Sequence, residues 1–226
     1  MTHTAAVLPV KRFELAKQRL GASMADPMRL DLARAMVGDV LTALRDCSSI
    51  DLRIVVTSEQ SVAAAARYQG AIVVQDSAQE GQSAAVILGL ERALAEGAER
   101  VLCIPGDCPA LDPQELDALL LADSDTPAVV IVPDRHGTGT NGLLLSPPDA
   151  IAPSFGPGSC QRHQELARKA GVACRLERPA SLLLDIDTGE DLQELRERLA
   201  GETVRAPRTR KVLGLGGARR PALSAR

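Results

Sequence analysis

Aromatic residues are almost absent from this chain: no Trp, one Tyr (Tyr68) and two Phe (Phe13, Phe155) among 226 residues. Proteins that grip single-stranded nucleic acid stack bases on aromatic faces, so the composition argues against that class. The interior has to be built from Ala, Val, Ile and Leu. Disulfide and zinc frameworks are equally poorly supplied. The five cysteines (Cys47, Cys103, Cys108, Cys160, Cys174) are odd in number and contain no C-x-x-C pair, which reads as reduced thiols. No apolar run approaches the ~18 residues of a membrane span, and the N-terminus lacks an apolar stretch ended by a cleavage site. The expectation is a cytoplasmic protein without membrane contact. A G-x-x-x-x-G-K-[ST] phosphate loop is missing as well, so this is not a P-loop enzyme.

Acidic residues are missing from one region only. Residues 203–226 carry seven basic side chains (Arg205, Arg208, Arg210, Lys211, Arg219, Arg220, Arg226) and no acidic one. That leaves 19 basic against 29 acidic residues in 1–202, a balance of −10 beneath an overall charge of −3. Such a body is poorly suited to a polyanionic helix, and no nucleic-acid partner is expected. The Arg-, Pro- and Gly-rich end reads as a disordered basic tail over 203–226. With 45% hydrophobic and 24% charged residues, positions 1–202 read as one globular domain.

What is present is a regular alternation. Apolar runs of strand type occupy 5–10, 52–57, 71–75, 100–105, 128–132, 143–146 and 172–176. Between them lie helical patterns. Asp26-Pro27 reads as a cap with Pro at the first helical position, followed by Leu30, Ala33, Met36, Val37, Val40, Leu41 and Leu44 on one face. Further helices are expected over 60–69, 84–95, from Asp112-Pro113-Gln114-Glu115, over 161–170, and from Thr188 to about Leu199. The pattern predicts an α/β fold, Rossmann-like, with a mostly parallel central sheet and helices on both faces. Ligands of such sheets bind beyond the carboxyl ends of the strands.

Several segments fall at those ends. Gly137-Thr138-Gly139-Thr140-Asn141-Gly142 spells G-x-G-x-x-G, but a strand ended by prolines follows where the dinucleotide motif needs a helix. It is either a loop whose N–H groups and hydroxyls face an anion or an ordinary hairpin turn. Gly106-Asp107-Cys108-Pro109 places a carboxylate directly after a buried strand, and Asp185-Ile186-Asp187-Thr188 precedes the last helix. Asp107 and Asp187, from distant turns, can together hold one Mg²⁺ against a triphosphate, since hard cations take carboxylate and phosphate oxygens. Lys11, Arg12, Lys17 and Arg19, in the segment after the first strand, form an electropositive cradle or a solvated helix face. None of the three His reads as essential: His3 is terminal, His136 is in a loop, and His163 is expected on a helix surface. Cys108 has no His partner nearby in sequence, which argues against a nucleophile.

Pro9-Val10-Lys11 with Ala16-Lys17-Gln18-Arg19-Leu20, the Gly106–Leu111 turn, Gly137–Asn141, Phe155-Gly156-Pro157-Gly158-Ser159 with Arg162-His163, and Asp185–Thr188 occur in this order. Together they resemble the 2-phospho-L-lactate guanylyltransferases, whose bacterial members act as phosphoenolpyruvate guanylyltransferases in making coenzyme F-420. The resemblance spans roughly residues 5–200 and implies a single-domain nucleotidyltransferase. It implies transfer of GMP from GTP to a phosphorylated three-carbon acid, phosphoenolpyruvate before 2-phospholactate, with release of pyrophosphate. By position it makes Asp107 and Asp187 the Mg²⁺ ligands and Lys17 the lysine near the phosphates. Thr140, Gly156 and Ser159 match the residues that hold the acceptor acid. The nucleotide side takes Pro9, Val10, Lys11, Lys17, Gln82 and Ser83, where many members have Leu-Asn instead of Gln82-Ser83. The resemblance leaves room for a homodimer and for a downstream transferase that takes up the unstable product.

Two other readings stay open on sequence. Another Mg²⁺-dependent nucleotidyltransferase, of molybdopterin or sugar-phosphate type, would share the Gly-Asp-x-Pro turn, although Pro9-Val10-Lys11 stands where a pterin enzyme carries a glycine-rich loop. A metal-dependent glycosyltransferase would use Asp185-Ile186-Asp187 as its D-x-D, which in such enzymes lies mid-chain rather than near the end. A nucleotide-binding protein without activity is disfavoured because Asp107, Asp187 and Lys17 are all retained.

Overall fold

The structure, a computed structural model, describes residues 3–13, 20, 24–122, 128–201 and 205–215. Seven strands form one sheet: β1 (Thr4–Val10), β2 (Leu52–Thr57), β3 (Ile72–Val74), β4 (Arg100–Cys103), β5 (Ala128–Pro133), β6 (Thr140–Ser146) and β7 (Ala173–Leu176). Their order is β3-β2-β1-β4-β6-β5-β7. Pairing is parallel between β1 and β2, β1 and β4, β2 and β3, and β5 and β7. Only β6 runs against its neighbours, β4 and β5. The mostly parallel sheet expected from the continuous apolar runs is therefore present, with one reversed strand.

Helices cover both faces. α1 (Asp26–Asp46), α2 (Gln60–Tyr68) and α4 (Pro113–Leu121) pack on one side, where Val37, Val40, Leu44, Ala66 and Leu116 meet Ala6, Leu8 and Leu102. α3 (Gln82–Ala95) and α5 (Ser159–Ala170) lie on the other, with Val86, Ala93, Cys160 and Ala167 against Val7, Val56, Val101 and Leu143. Successive strand residues point to opposite faces, so a strand sandwiched between helices must be apolar at every position. That is why residues 5–10 of β1 and 101–103 of β4 read as unbroken hydrophobic runs. α6 (Gly189–Ala200) closes a third cluster of Leu184, Ile186, Leu192, Leu195 and Leu199.

Three local expectations are corrected. Asp26 is inside α1 rather than at its cap: the cap position is Ala25, and the Asp26 carboxylate meets Arg29 instead. Asp112 caps α4, accepting from the Gln114 N–H, and Glu115 is in the first turn as expected, but its carboxylate accepts from the Ser181 N–H at 2.8 Å instead of closing a capping box. The basic end is not tail from residue 203 onward. Pro207–Val212 forms helix α7, in which Thr209 is buried, and Leu213 directly after it is buried as well. Asp39, 4% exposed on α1, accepts from the backbone N–H groups of Arg208 (3.1 Å) and Thr209 (2.8 Å). The two N–H groups and the adjacent guanidinium of Arg208 compensate a carboxylate that burial would otherwise penalise. Close approach is possible because α1 carries Gly38 here; a Cβ at that position would lie 2.8 Å from Arg208 Cδ. Composition described the segment as polar and basic, and a single buried acid elsewhere in the chain gives it a seat.

Candidate active site

Two cavities open at the carboxyl edge of the sheet and share a wall. The first, about 310 Å³, lies between the ends of β1 and β4 and is lined by Pro9, Val10 and Lys11, the α1 residues Ala33, Met36 and Val37, and Phe13, Asp76, Gln82, Ala85, Pro105, Gly106, Asp107 and Asp187. The second, about 410 Å³, lies beside the β5–β6 hairpin and is lined by Asp134, Thr138, Gly139, Thr140, Asn141, Phe155, Gly156, Pro157, Ser159 and Asp185. Gln82, Pro105, Asp107 and Asp187 belong to both. The expected candidates Pro9, Val10, Lys11 and Gln82 thus lie at the first cavity, Thr140, Gly156 and Ser159 at the second, and Asp107 and Asp187 on the shared wall. Ser83 lines neither; its hydroxyl accepts from the Phe155 N–H at 2.9 Å and ties the start of α3 to the 154–158 loop. Lys17 lies outside the described residues.

The shared wall is built by two turns pinned to each other. The Ile186 N–H donates to the Asp107 carbonyl at 3.1 Å. Leu184 and Ile186 are fully buried, so the alternation of an extended chain turns Asp185 and Asp187 the other way, toward the cavities. Downstream, Thr188 and Asp191 form a reciprocal capping box at the start of α6, and Asp191 also accepts from the Asp187 N–H at 3.1 Å. Arg135, from the hairpin, reaches Asp191 at 2.7 Å and Glu194 at 2.6 Å, fastening the second cavity's two sides together. The Asp185 carboxyl is pushed up to about 6, first by burial and then by the charge of Asp107, against the pull of the Asn141 amide. Three carboxylates therefore stand close enough to repel. Among the described residues lining the two cavities, Lys11 is the one cation.

The glycine-rich segment is a hairpin whose donors are already engaged. Asp134 accepts from the N–H groups of Thr138 (2.9 Å) and Gly139 (2.8 Å) and from the Thr138 hydroxyl (3.2 Å). A carboxylate of the chain takes the place that an external anion would need, so Thr138 and Gly139 do not form the open cradle their sequence allowed. Beyond the hairpin, Arg162 donates to the Ser154 and Phe155 carbonyls at 3.0 and 3.1 Å and shapes the loop before α5. Gly156 in that loop has φ +105°, a conformation that an L side chain adopts only with strain.

His163 departs furthest from expectation. It is fully buried, not on the helix surface. Nδ1 lies 3.1 Å from the Thr140 hydroxyl, the Ser154 N–H donates to Nε2 at 2.9 Å, and the Phe155 ring packs edge-on at 5.2 Å. Burial, with the Arg162 charge adding to it, pushes the imidazole down to about 4, so it is neutral near pH 7. Its signal was present in the sequence as Ser159 and His163 at i and i+4, which share a helix face. Asn141, whose amide donates to Asp185 at 3.1 Å and to the Leu182 carbonyl at 3.0 Å, was hidden next to Thr140.

The family described as "Guanylyl transferase CofC like" matches residues 4–215, nearly all of the described chain and both cavities. The chain belongs to this family. CofC-like guanylyl transferases are nucleotidyltransferases, so this is an enzyme of that class. It is 49% identical over 211 residues to the phosphoenolpyruvate guanylyltransferase of Conexibacter woesei, covering 93% of this chain and 95% of that one. It is 35% identical over 193 residues to the 3-phospho-D-glycerate guanylyltransferase of Phenylobacterium zucineum, covering 84% and 88%. A solved nucleotidyl transferase from Methanothermobacter shares the fold with a TM-score of 0.63 at 19% identity, covering 87% of this chain and 97% of that one. No helix among the described residues is long and apolar enough to cross a membrane.

Proposed function

We propose that this CofC-like enzyme transfers GMP from GTP to phosphoenolpyruvate, releasing pyrophosphate, as a step of coenzyme F-420 biosynthesis. The observation that carries this reading is the pair of cavities that share Asp107 and Asp187. The apolar walls of the first, from Val10, Phe13, Ala33, Met36, Val37 and Ala85, suit a flat base. The second offers the Thr140 hydroxyl within a polar wall of Thr138, Ser159 and Asn141 that the chain's own hydrogen bonds hold in place, which suits a small polar acid. Relatives in the family name the acceptor class as a phosphorylated three-carbon acid.

In the reaction, a phosphate oxygen of the acceptor forms a bond to the α-phosphorus of GTP while the bond to the β-phosphate breaks and pyrophosphate leaves. The attacking phosphate is already ionised near pH 7, so no general base is required. That agrees with a site whose buried histidine is neutral and engaged elsewhere. Both substrates are polyanions and the shared wall is acidic, so a cation is needed between them. Asp107 and Asp187 would hold Mg²⁺. Among the described residues no group of three or more His, Cys, Asp or Glu can cage an ion alone, which fits a metal completed by phosphate oxygens. When bound, Mg²⁺ supplies charge neutralisation at the transferred phosphoryl group. Lys11, at the end of β1, adds positive charge on the GTP side, and the turns carrying Asp107 and Asp187 fix the distance between the two substrates.

The test is pyrophosphate release with GTP and Mg²⁺, run in parallel with phosphoenolpyruvate, 2-phospholactate and 3-phosphoglycerate. Release that depends on phosphoenolpyruvate is expected. Release with 3-phosphoglycerate alone would replace the acceptor, and none with any acid, from a folded chain that binds GTP, would overturn the reading.

A further inference from the structure

The network beneath the second cavity has a direction that its atoms impose. A backbone N–H can only donate, so the bond from Ser154 N–H leaves Nε2 of His163 as the acceptor. The ring's single proton in the neutral form is then on Nδ1, where it donates to Thr140 Oγ1 at 3.1 Å. The Ser159 hydroxyl, one helical turn before His163, donates to the same oxygen at 3.1 Å. A hydroxyl oxygen has two lone pairs and one proton. With both lone pairs of Thr140 occupied, its proton must leave the network, and Thr140 lines the second cavity. An oxygen that accepts twice is also a stronger donor, because chains of hydrogen bonds polarise one another.

We propose that His163 is a positioning residue: it fixes the Thr140 hydroxyl as a hydrogen-bond donor aimed at an anionic oxygen of the acceptor acid. This rests on the reading that the second cavity takes the acceptor. The ring is held for the task from three sides, by Ser154 at Nε2, by the edge-on Phe155 ring and by its complete burial. It touches no substrate. Its role reaches the acid through Thr140.

Two amide substitutions separate this role from a purely structural one. In His163→Asn the amide nitrogen takes the place of Nδ1, keeping the donor to Thr140 and giving up the bond to Ser154. In His163→Gln the amide reaches the Nε2 position, keeping the Ser154 bond and giving up the donor. Positioning predicts that His163→Gln raises the KM of the acceptor by about tenfold, the size of a lost hydrogen bond to a charged group. The KM of GTP should stay unchanged, and His163→Asn should remain within about threefold of the wild type for both. The reverse order, or a parallel rise in both KM values, would overturn the proposal. A cycle with Thr140→Val checks the route: once the hydroxyl is gone, His163→Gln should cost no more. An additional loss there overturns it as well. Failure of the underlying reading shows separately, in a wild-type enzyme that releases no pyrophosphate with any of the three acids and binds none of them by calorimetry; that result overturns both.

Discussion

The two cavities are made in different ways. The first is walled by core residues: Ala33, Met36 and Val37 on α1 and Ala85 on α3 belong to the same apolar faces that hold the sheet. The second is walled by loops and the ends of β6 and α5, and its side chains are fixed by hydrogen bonds, Asp134 by the hairpin, Asn141 by Asp185, and Thr140 by Ser159 and His163. Packing is non-directional and makes a shaped, tolerant slot. Hydrogen bonds are directional and aim individual donors. A flat base calls for the first kind of wall, and a small acid that must be told from similar acids calls for the second.

Substitutions can test how independent these halves are. The largest effect should come from the wall they share. Asp107→Asn is expected to lower kcat by about a thousandfold with an unchanged melting temperature, since both substrates depend on the charge there. A folded, fully active variant would remove Asp107 from the site. Next, acid should strike the second half first. The folded pKa of His163 is depressed to about 4 from an unfolded value of 6.5. Its contribution is therefore complete above pH 6.5 and lost as pH falls toward 4, about 3 kcal/mol in all. Denaturant titrations at pH 7 and pH 4.5 should show most of that loss in the wild type and little of it in His163→Asn.

Ending the chain at residue 204 removes α7, losing the burial of Thr209 and the two backbone donors to Asp39, which should cost about 2 kcal/mol. Because α7 docks on α1, the KM of GTP should rise while that of the acceptor stays put; equal effects on both would show that the halves are mechanically coupled. The smallest effects sharpen the contrast most. Ser159→Ala should raise the KM of the acceptor about tenfold, and Lys11→Ala the KM of GTP by about threefold, each sparing the other substrate. A crossed pattern would mean the cavities are assigned the wrong way round.

How far the sequence carried this picture depends on range. The strands were readable because parallel strands between helices are apolar at every position, and the starts of α4 and α6 because Asp112 and Thr188 act within one turn. Asp107 and Asp187 stood out because a carboxylate after a buried strand or before a helix is a local event. Other features needed partners far along the chain. Asp134 fills its own hairpin, so the glycine-rich loop is no open anion cradle; Ser83 serves Phe155, 72 residues away.

The order of elements, the apolar interior and the two acidic turns were set by local chemistry: periodicity, caps and turn residues act over a few positions and survive in the one-dimensional record. The meeting of those turns at one wall, the burial of a histidine expected on a helix surface, and the docking of a basic segment on Asp39, about 170 residues away, were decided by the tertiary structure. The reason is that burial and hydrogen-bond direction belong to pairs of residues, and only the fold says which pairs exist.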